Sequence, residues 1–314
     1  MAEHLLDDSV VHAFWDRDYP PRLEIASGDT VTFVCKDASD AQITPASDAR
    51  AYATFDASRA HALTGPVFVQ GAQPGDALEV EILAMEHRGW GWTAFKPGGI
   101  GLLPDEFDAP YLQHWTLEGD LCRFRDSDEV AVPFEPFCGV MGVAPTEPGR
   151  LNTAPPRANA GNIDIRGLTV GATAYLPVLT AGALFSTGDC HAAQGDGEVC
   201  GTGIEAPMTV TLRFRLRKDL QVRELQFTTP SPLTRADSHG YFATTAHGPD
   251  LYDDATRAVR EMVAWLHRQH GLSREKAYVL CSVAADLKIS EIVDAPNWIV
   301  SCYLPLGVLR SADD

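Results

Sequence analysis

Between Ser186 and Thr202 the chain reads STGDCHAAQGDGEVCGT, setting carboxylates, an imidazole and two thiols among glycines. Asp189 and His191 are two apart, so on an extended backbone both side chains leave the same side. A carboxylate beside an imidazole suits a borderline cation such as zinc, and a hydrogen-bonded pair that closes a turn has the same spacing. Asn162 and Asp164 repeat that spacing in AGNIDIR, with Ile163 and Ile165 alternating toward the core, a pattern that a surface strand also produces. Downstream, Gln194, Asp196 and Glu198 occupy a glycine-rich turn whose backbone can aim N–H groups at a developing oxyanion. Glu205 closes this run, where an exposed acid at a strand edge is the plain alternative. Cys190 alternates away from Asp189 and His191 and reads as a buried, inert thiol.

The elements that must position these groups are short alternating runs. TVTFVC places Val31, Phe33 and Cys35 on one side, and ALEVEILAM places Leu78, Val80, Ile82 and Ala84 on one face. In MTVTLRFRLRK, Val210, Leu212, Phe214 and Leu216 face in while Arg213, Arg215 and Arg217 face out. Period-two patterning of this kind marks strands with one buried face. Helical spacing starts near residue 250, where Leu251, Ala255, Val259, Met262 and Leu266 recur three or four apart and Gly271 follows the last turn. A second helix is expected within SREKAYVLCSVAADLKIS with Ser273 as its N-cap, then a last strand in WIVSCYLPL. The fold class is mainly β: a sandwich or barrel-like body over residues 1–248, with a smaller α/β portion over 249–314 packed on the same unit. Residues 86–118 read as an irregular aromatic segment whose 90–115 part walls a small dry pocket and which offers apolar surface to a second copy, so a homo-oligomer is expected.

Composition narrows the function classes. With 25 basic against 43 acidic residues the formal charge is −18, which repels nucleic acid and anionic lipid. No apolar run approaches a membrane span, and the opening MAEHLLDDSVVHAFWD lacks the pattern of a secretory signal. The odd count of 7 cysteines without a CxxC pair fits reduced thiols, so a cytoplasmic location is expected.

GDCHAAQGDGEVCGTGIE closely resembles the signature of the acetamidase/formamidase family. FWDRDYPPRLEIASGDTVTF, LTGPVFVQGAQPGDALEVEIL and AGNIDIR resemble further blocks of that family in order, covering about residues 11 to 305. Three positions depart from its usual pattern: Ile163 stands where methionine is common, Ala62 where proline follows the histidine, and Cys190 where glycine is common. The resemblance implies a jelly-roll-like β-sandwich that hydrolyses small aliphatic amides to a carboxylate and ammonia. It implies zinc in the site, with calcium admitted as a second, structural ion. On this reading Asp164, Asp189 and His191 are the metal ligands. Glu198 is the first choice of acid/base, with Glu205 and Glu79 behind it, and Gln194 orients the substrate amide. Asn162, His61 and Gly195 contact the substrate, the last through the backbone of the 194–198 turn. The alternatives are a lactam or other cyclic-amide hydrolase on the same site, a metal-free hydrolase using Cys190, and a non-catalytic ligand-binding β-sandwich with a structural metal.

Overall fold

The computed structural model describes residues 1–230, 239–292 and 296–309. Two six-stranded sheets supply the body. The first runs Glu3–Leu6, Thr30–Cys35, Met208–Arg217, Ala77–His87, Thr173–Pro177, Gln226–Thr228 in spatial order. The second runs Ala160–Asn162, Phe137–Gly142, Phe185–His191, Leu63–Val69, Val11–His12, with Leu23–Ile25 also beside Leu63–Val69. Phe33 and Phe214 from the first sheet meet Phe185 from the second, with ring centroids 5.0–6.2 Å apart. Burying three such rings on inward-facing positions is what joins the layers.

Alternation decides most of these strands. Val31, Phe33 and Cys35 are fully buried, as are Val210, Leu212 and Phe214, while Leu216 packs at the margin. The Ala77–His87 strand departs from the expectation. Ile82 pairs with Leu212 but Ala84 pairs with Thr211, so Leu83 is the extra residue of a bulge. The bulge flips the facing residues, and Met85 rather than Ala84 turns into the core.

Residues 86–118 are more regular than their composition suggests. Trp90–Phe95 and Tyr111–Glu118 form an antiparallel pair that continues through Leu121–Phe124 and Ala131–Pro133 as a four-stranded sheet. Trp92, Phe95 and Trp115 are buried within the chain itself, while Ile100 of the same segment is exposed.

The helices are α1 (Ala49–Thr54), α2 (Leu251–His270) and α3 (Arg274–Ala284). Asp250 caps α2 at its start, and Gly271 ends it with φ 68°, the left-handed geometry glycine adopts without strain. Ser273 caps α3 as expected, but the helix stops at Ala284 and the chain becomes the strand Asp286–Glu291. Tyr241–Gly248 pairs with Trp298–Pro305 along its whole length, and α2 packs on both. The C-terminal α/β portion therefore begins near Tyr241 rather than 249.

This portion braces the 194–202 loop from behind. Ser282 Oγ donates to Thr202 O (2.7 Å) and accepts from Cys200 N (3.1 Å), while Gly195 N donates to Ser282 O (2.9 Å). Tyr278 Oη donates to Val199 O (2.5 Å) and accepts from Leu103 N (3.0 Å). No helix among the described residues is long and apolar enough to cross a membrane. Ser282→Ala removes two buried hydrogen bonds and leaves Cys200 N without its acceptor, and should lower unfolding free energy by about 2–3 kcal/mol, read by urea denaturation.

Candidate active site

Five acid–imidazole residues converge at one end of the second sheet. The strand Phe185–His191 delivers Asp189 and His191, both almost wholly buried. They point to one place, with His191 Nε2 3.7 Å from Asp189 Oδ1. Pleating alone does not achieve this, because Asp189 takes φ 52°. Asp164 follows the strand Ala160–Asn162 with φ 45°, so it lies just beyond the strand expected to carry it. Glu198 (φ 43°) and His61 (φ 56°) are also left-handed. Four non-glycine residues in that sparsely populated region, all lining one cavity, mark a backbone held in place by its surroundings.

Glu205 enters through its backbone. It exchanges both hydrogen bonds with Trp92 (2.8 and 2.9 Å) and so stitches the four-stranded sheet to the strand bearing His191. One carboxylate oxygen accepts from Gly203 N (2.9 Å), and the other, Oε2, lies 3.1 Å from His191 Nε2.

Gln194 fixes the imidazole. Its Nε2 donates to Asp164 O (2.9 Å), which leaves Oε1 facing His191 Nδ1 at 2.7 Å. A carbonyl can only accept, so Nδ1 must carry the proton, and in the neutral ring Nε2 keeps its lone pair for the cavity. Gln194 is thus a tether between His191 and Asp164 and is not placed to orient substrate. Two glycines make room for this cluster. A Cβ on Gly139 would sit 2.7 Å from Asp164 Oδ1 and 2.8 Å from Asp189 Oδ2, and one on Gly203 would sit 2.8 Å from His191 Nδ1.

The cavity holds about 440 Å³ and is lined by Asp164, Asp189, His191, Glu198, Glu205, Asn162 and His61, with an apolar wall that includes Tyr52, Phe55 and Trp92. His61 Nδ1 lies 3.1 Å from Thr153 Oγ1, and Asn162 donates to Ala154 O. Neither lysine nor arginine lines it among the described residues. The electrostatic consequence is severe. Burial, then the Asp189 charge, pushes Asp164 up to about 6, and burial with Asp189 and Asp164 pushes Glu205 up to about 8. Burial and the Asp164 charge raise Glu198 well above the usual carboxylate range. Asp189 goes the other way: burial opposes its charge, but the neighbouring imidazoles of His61 and His191 and hydrogen bonds with His191 and Glu205 outweigh that and take it to about 2. Burial opposes charge on His191, yet Glu205 and Asp189 more than reverse that and raise it well above the ordinary imidazole value.

The donor set fits a divalent cation. Ligand atoms of Asp164, Asp189 and His191 lie within 4.8 Å of one another, as do those of His191, Glu198 and Glu205. Asp164 Oδ1 is buried without a hydrogen-bond partner and Glu205 Oε2 faces only His191 Nε2 at 3.1 Å, a costly state for a crowd of carboxylates unless further positive charge sits beside them. Both sets share His191, whose single free nitrogen serves one ion.

Other expected residues lie elsewhere. Glu79 sits on the Ala77–His87 strand of the first sheet, held by Arg215 (2.7 Å) and Arg217 (2.6 Å), and does not line the cavity. It is withdrawn as an acid/base candidate. Gly195 packs against Ala285 and does not line the cavity. The N–H groups of Gly195, Asp196 and Glu198 already donate to Ser282 O, Asp286 Oδ1 and Gly195 O, so they do not form the expected oxyanion cradle. Cys190 is fully buried, and hydrogen bonds with Cys138 and Cys35, together with burial, push its thiol well up, which suits the inert reading. Sequence reasoning missed Gly139, although a lone glycine inside the apolar run FCGVMG signals close approach of another group. It also missed Tyr52 on α1, for which the sequence carries no signal.

A sequence profile described as Acetamidase/Formamidase family matches residues 2–149 and 148–311. A formamidase of Methylophilus methylotrophus is 27% identical, the match covering 96% of this chain and 90% of that protein. A solved acetamidase of Bacillus halodurans is 34% identical, with a TM-score of 0.68 over 96% of this chain and 97% of that one. A solved gamma lactamase of Delftia acidovorans, 24% identical, reaches a TM-score of 0.91 over 99% and 95%, a likeness of fold.

Two substitutions check the geometry. Gly139→Ala should splay Asp164 from Asp189 and remove whatever zinc uptake the unaltered cluster shows, read by equilibrium dialysis with elemental analysis. Gln194→Leu, which loses both contacts, should weaken that uptake by about 10–100-fold, and Gln194→Glu, which keeps the acceptor for Nδ1 but loses the donor to Asp164 O, should recover only part of it.

Proposed function

The chain belongs to the acetamidase/formamidase family and is an amidase, and we propose that it hydrolyses small linear amides to a carboxylate and ammonia with the aid of a bound divalent cation. One observation carries the metal dependence: four carboxylates and a single imidazole meet in one cavity, Asp164 Oδ1 is buried without a partner, and no lysine or arginine among the described lining residues balances them. The mixed nitrogen–oxygen donor set favours zinc, since calcium prefers six or more oxygens and no imidazole. Asp164, Asp189 and His191 Nε2 would hold it, with Glu205 Oε2 alongside. When bound, zinc supplies Lewis acidity, making water nucleophilic near neutral pH and polarising the amide carbonyl.

The protein's own groups do the rest. Glu198 is the acid/base: its carboxyl lines the cavity and is only half-buried, so it can reach both water and substrate. Burial and the neighbouring Asp164 charge raise its pKa, which suits a carboxyl group that takes a proton from the attacking water and returns it to the departing nitrogen. Glu205 is less suited to that role, because one oxygen is tied to Gly203 N and the other is shut away from solvent. Asn162 and His61 on the cavity wall are placed to meet the amide.

Ammonia release from formamide and acetamide tests the reading. A chelator should abolish activity and zinc should restore it, while a thiol-blocking reagent has no effect. Activity that survives metal removal but is lost on thiol blocking would transfer the chemistry to Cys190, and silence across linear amides and lactams would leave a binding module. Glu198→Gln should lower kcat by about 10²–10⁴-fold and keep its zinc. Asp189→Ala should lose both.

A further inference from the structure

The chamber is much larger than formamide or acetamide requires. At about 440 Å³ it has room for roughly 15 waters at ~30 Å³ each, whereas those amides displace only a few. The surplus space is apolar and aromatic. Tyr52 stacks on Phe55 with centroids 5.5 Å apart and meets Trp92 at 5.8 Å, while Phe14 and Ala60 complete the wall. Ile100 also lines the cavity and is 74% exposed, an apolar side chain left uncovered at the site. The charge pattern adds a second restriction. No lysine or arginine among the described residues lines the cavity, so a substrate carboxylate would be buried there without a cationic partner, which is costly.

Resting on the amidase reading above, we infer that the site is built for neutral primary amides whose acyl group carries a planar apolar substituent, arylalkyl amides being the type. The substituent lies against Tyr52, Phe55 and Trp92 while the carboxamide faces Asp189, His191 and Glu198. The reaction stays balanced as RCONH₂ + H₂O giving RCOO⁻ and NH₄⁺: water supplies the new C–O bond, the C–N bond breaks, and the departing nitrogen takes the protons. Binding energy from the remote ring is available to raise kcat/KM, because it helps to fix the carboxamide against the reacting groups.

The test is a kinetic series on the zinc-loaded full chain with acetamide, phenylacetamide and succinamate. Phenylacetamide should exceed acetamide in kcat/KM by at least about 10-fold, and succinamate should fall below acetamide. Ala60→Phe, which fills part of the chamber, should lower the phenylacetamide-to-acetamide ratio by at least about fivefold. Acetamide matching or exceeding phenylacetamide, or a ratio unmoved by Ala60→Phe, overturns the inference and leaves the amidase reading intact. If no amide is hydrolysed, calorimetric titration of the same compounds separates the two failures. Binding of phenylacetamide where acetamide does not bind supports the chamber and removes the hydrolysis, and binding of neither overturns both.

Discussion

Four carboxylates crowd around one imidazole in a space that water reaches poorly, and no lysine or arginine among the described lining residues offsets them. Like charges at such separations in a low-dielectric site cannot all remain ionised alone. Either protons or a cation must hold the arrangement together, and the raised pKa values of Asp164, Glu198 and Glu205 are the protonated version of that solution. A divalent ion is the other, and it turns an unfavourable cluster into a Lewis-acid centre.

The rest of the structure can be understood as holding this cluster still. Glycines at 139 and 203 let backbone approach the ligands, and Gln194 ties His191 to Asp164 across two segments. Glu205 is locked by pairing with Trp92, so two sheets must be in register before the site exists. The C-terminal helix α3 holds the loop bearing Glu198 through Ser282 and Tyr278. Left-handed backbone at His61, Asp164, Asp189 and Glu198 shows how far local preference yields to these restraints.

What could be seen in the sequence follows physical lines. Strands with one buried face announce themselves, as Thr30–Cys35 and Met208–Arg217 do, because alternation is a local property. Asp189 and His191 could be paired by spacing, although a positive φ rather than simple pleating aims the first of them. The bulge at Leu83, the end of α3 at Ala284 and the sheet hidden in 86–118 depend on partners distant in the chain. So does the removal of Glu79 from the chemistry, since nothing local says that Arg215 and Arg217 already hold it. Glycines permit an oxyanion cradle at 194–198, but the N–H groups of Gly195, Asp196 and Glu198 donate to Ser282, Asp286 and Gly195.

Proton counting during cation binding probes the central constraint most directly. Chelator-stripped protein at neutral pH would be titrated calorimetrically with zinc in buffers of differing ionisation enthalpy. The account predicts a saturable uptake near one equivalent that expels at least one proton per ion, because carboxyl groups protonated in the bare cavity must give way. Uptake without proton release, or no saturable uptake, would contradict it.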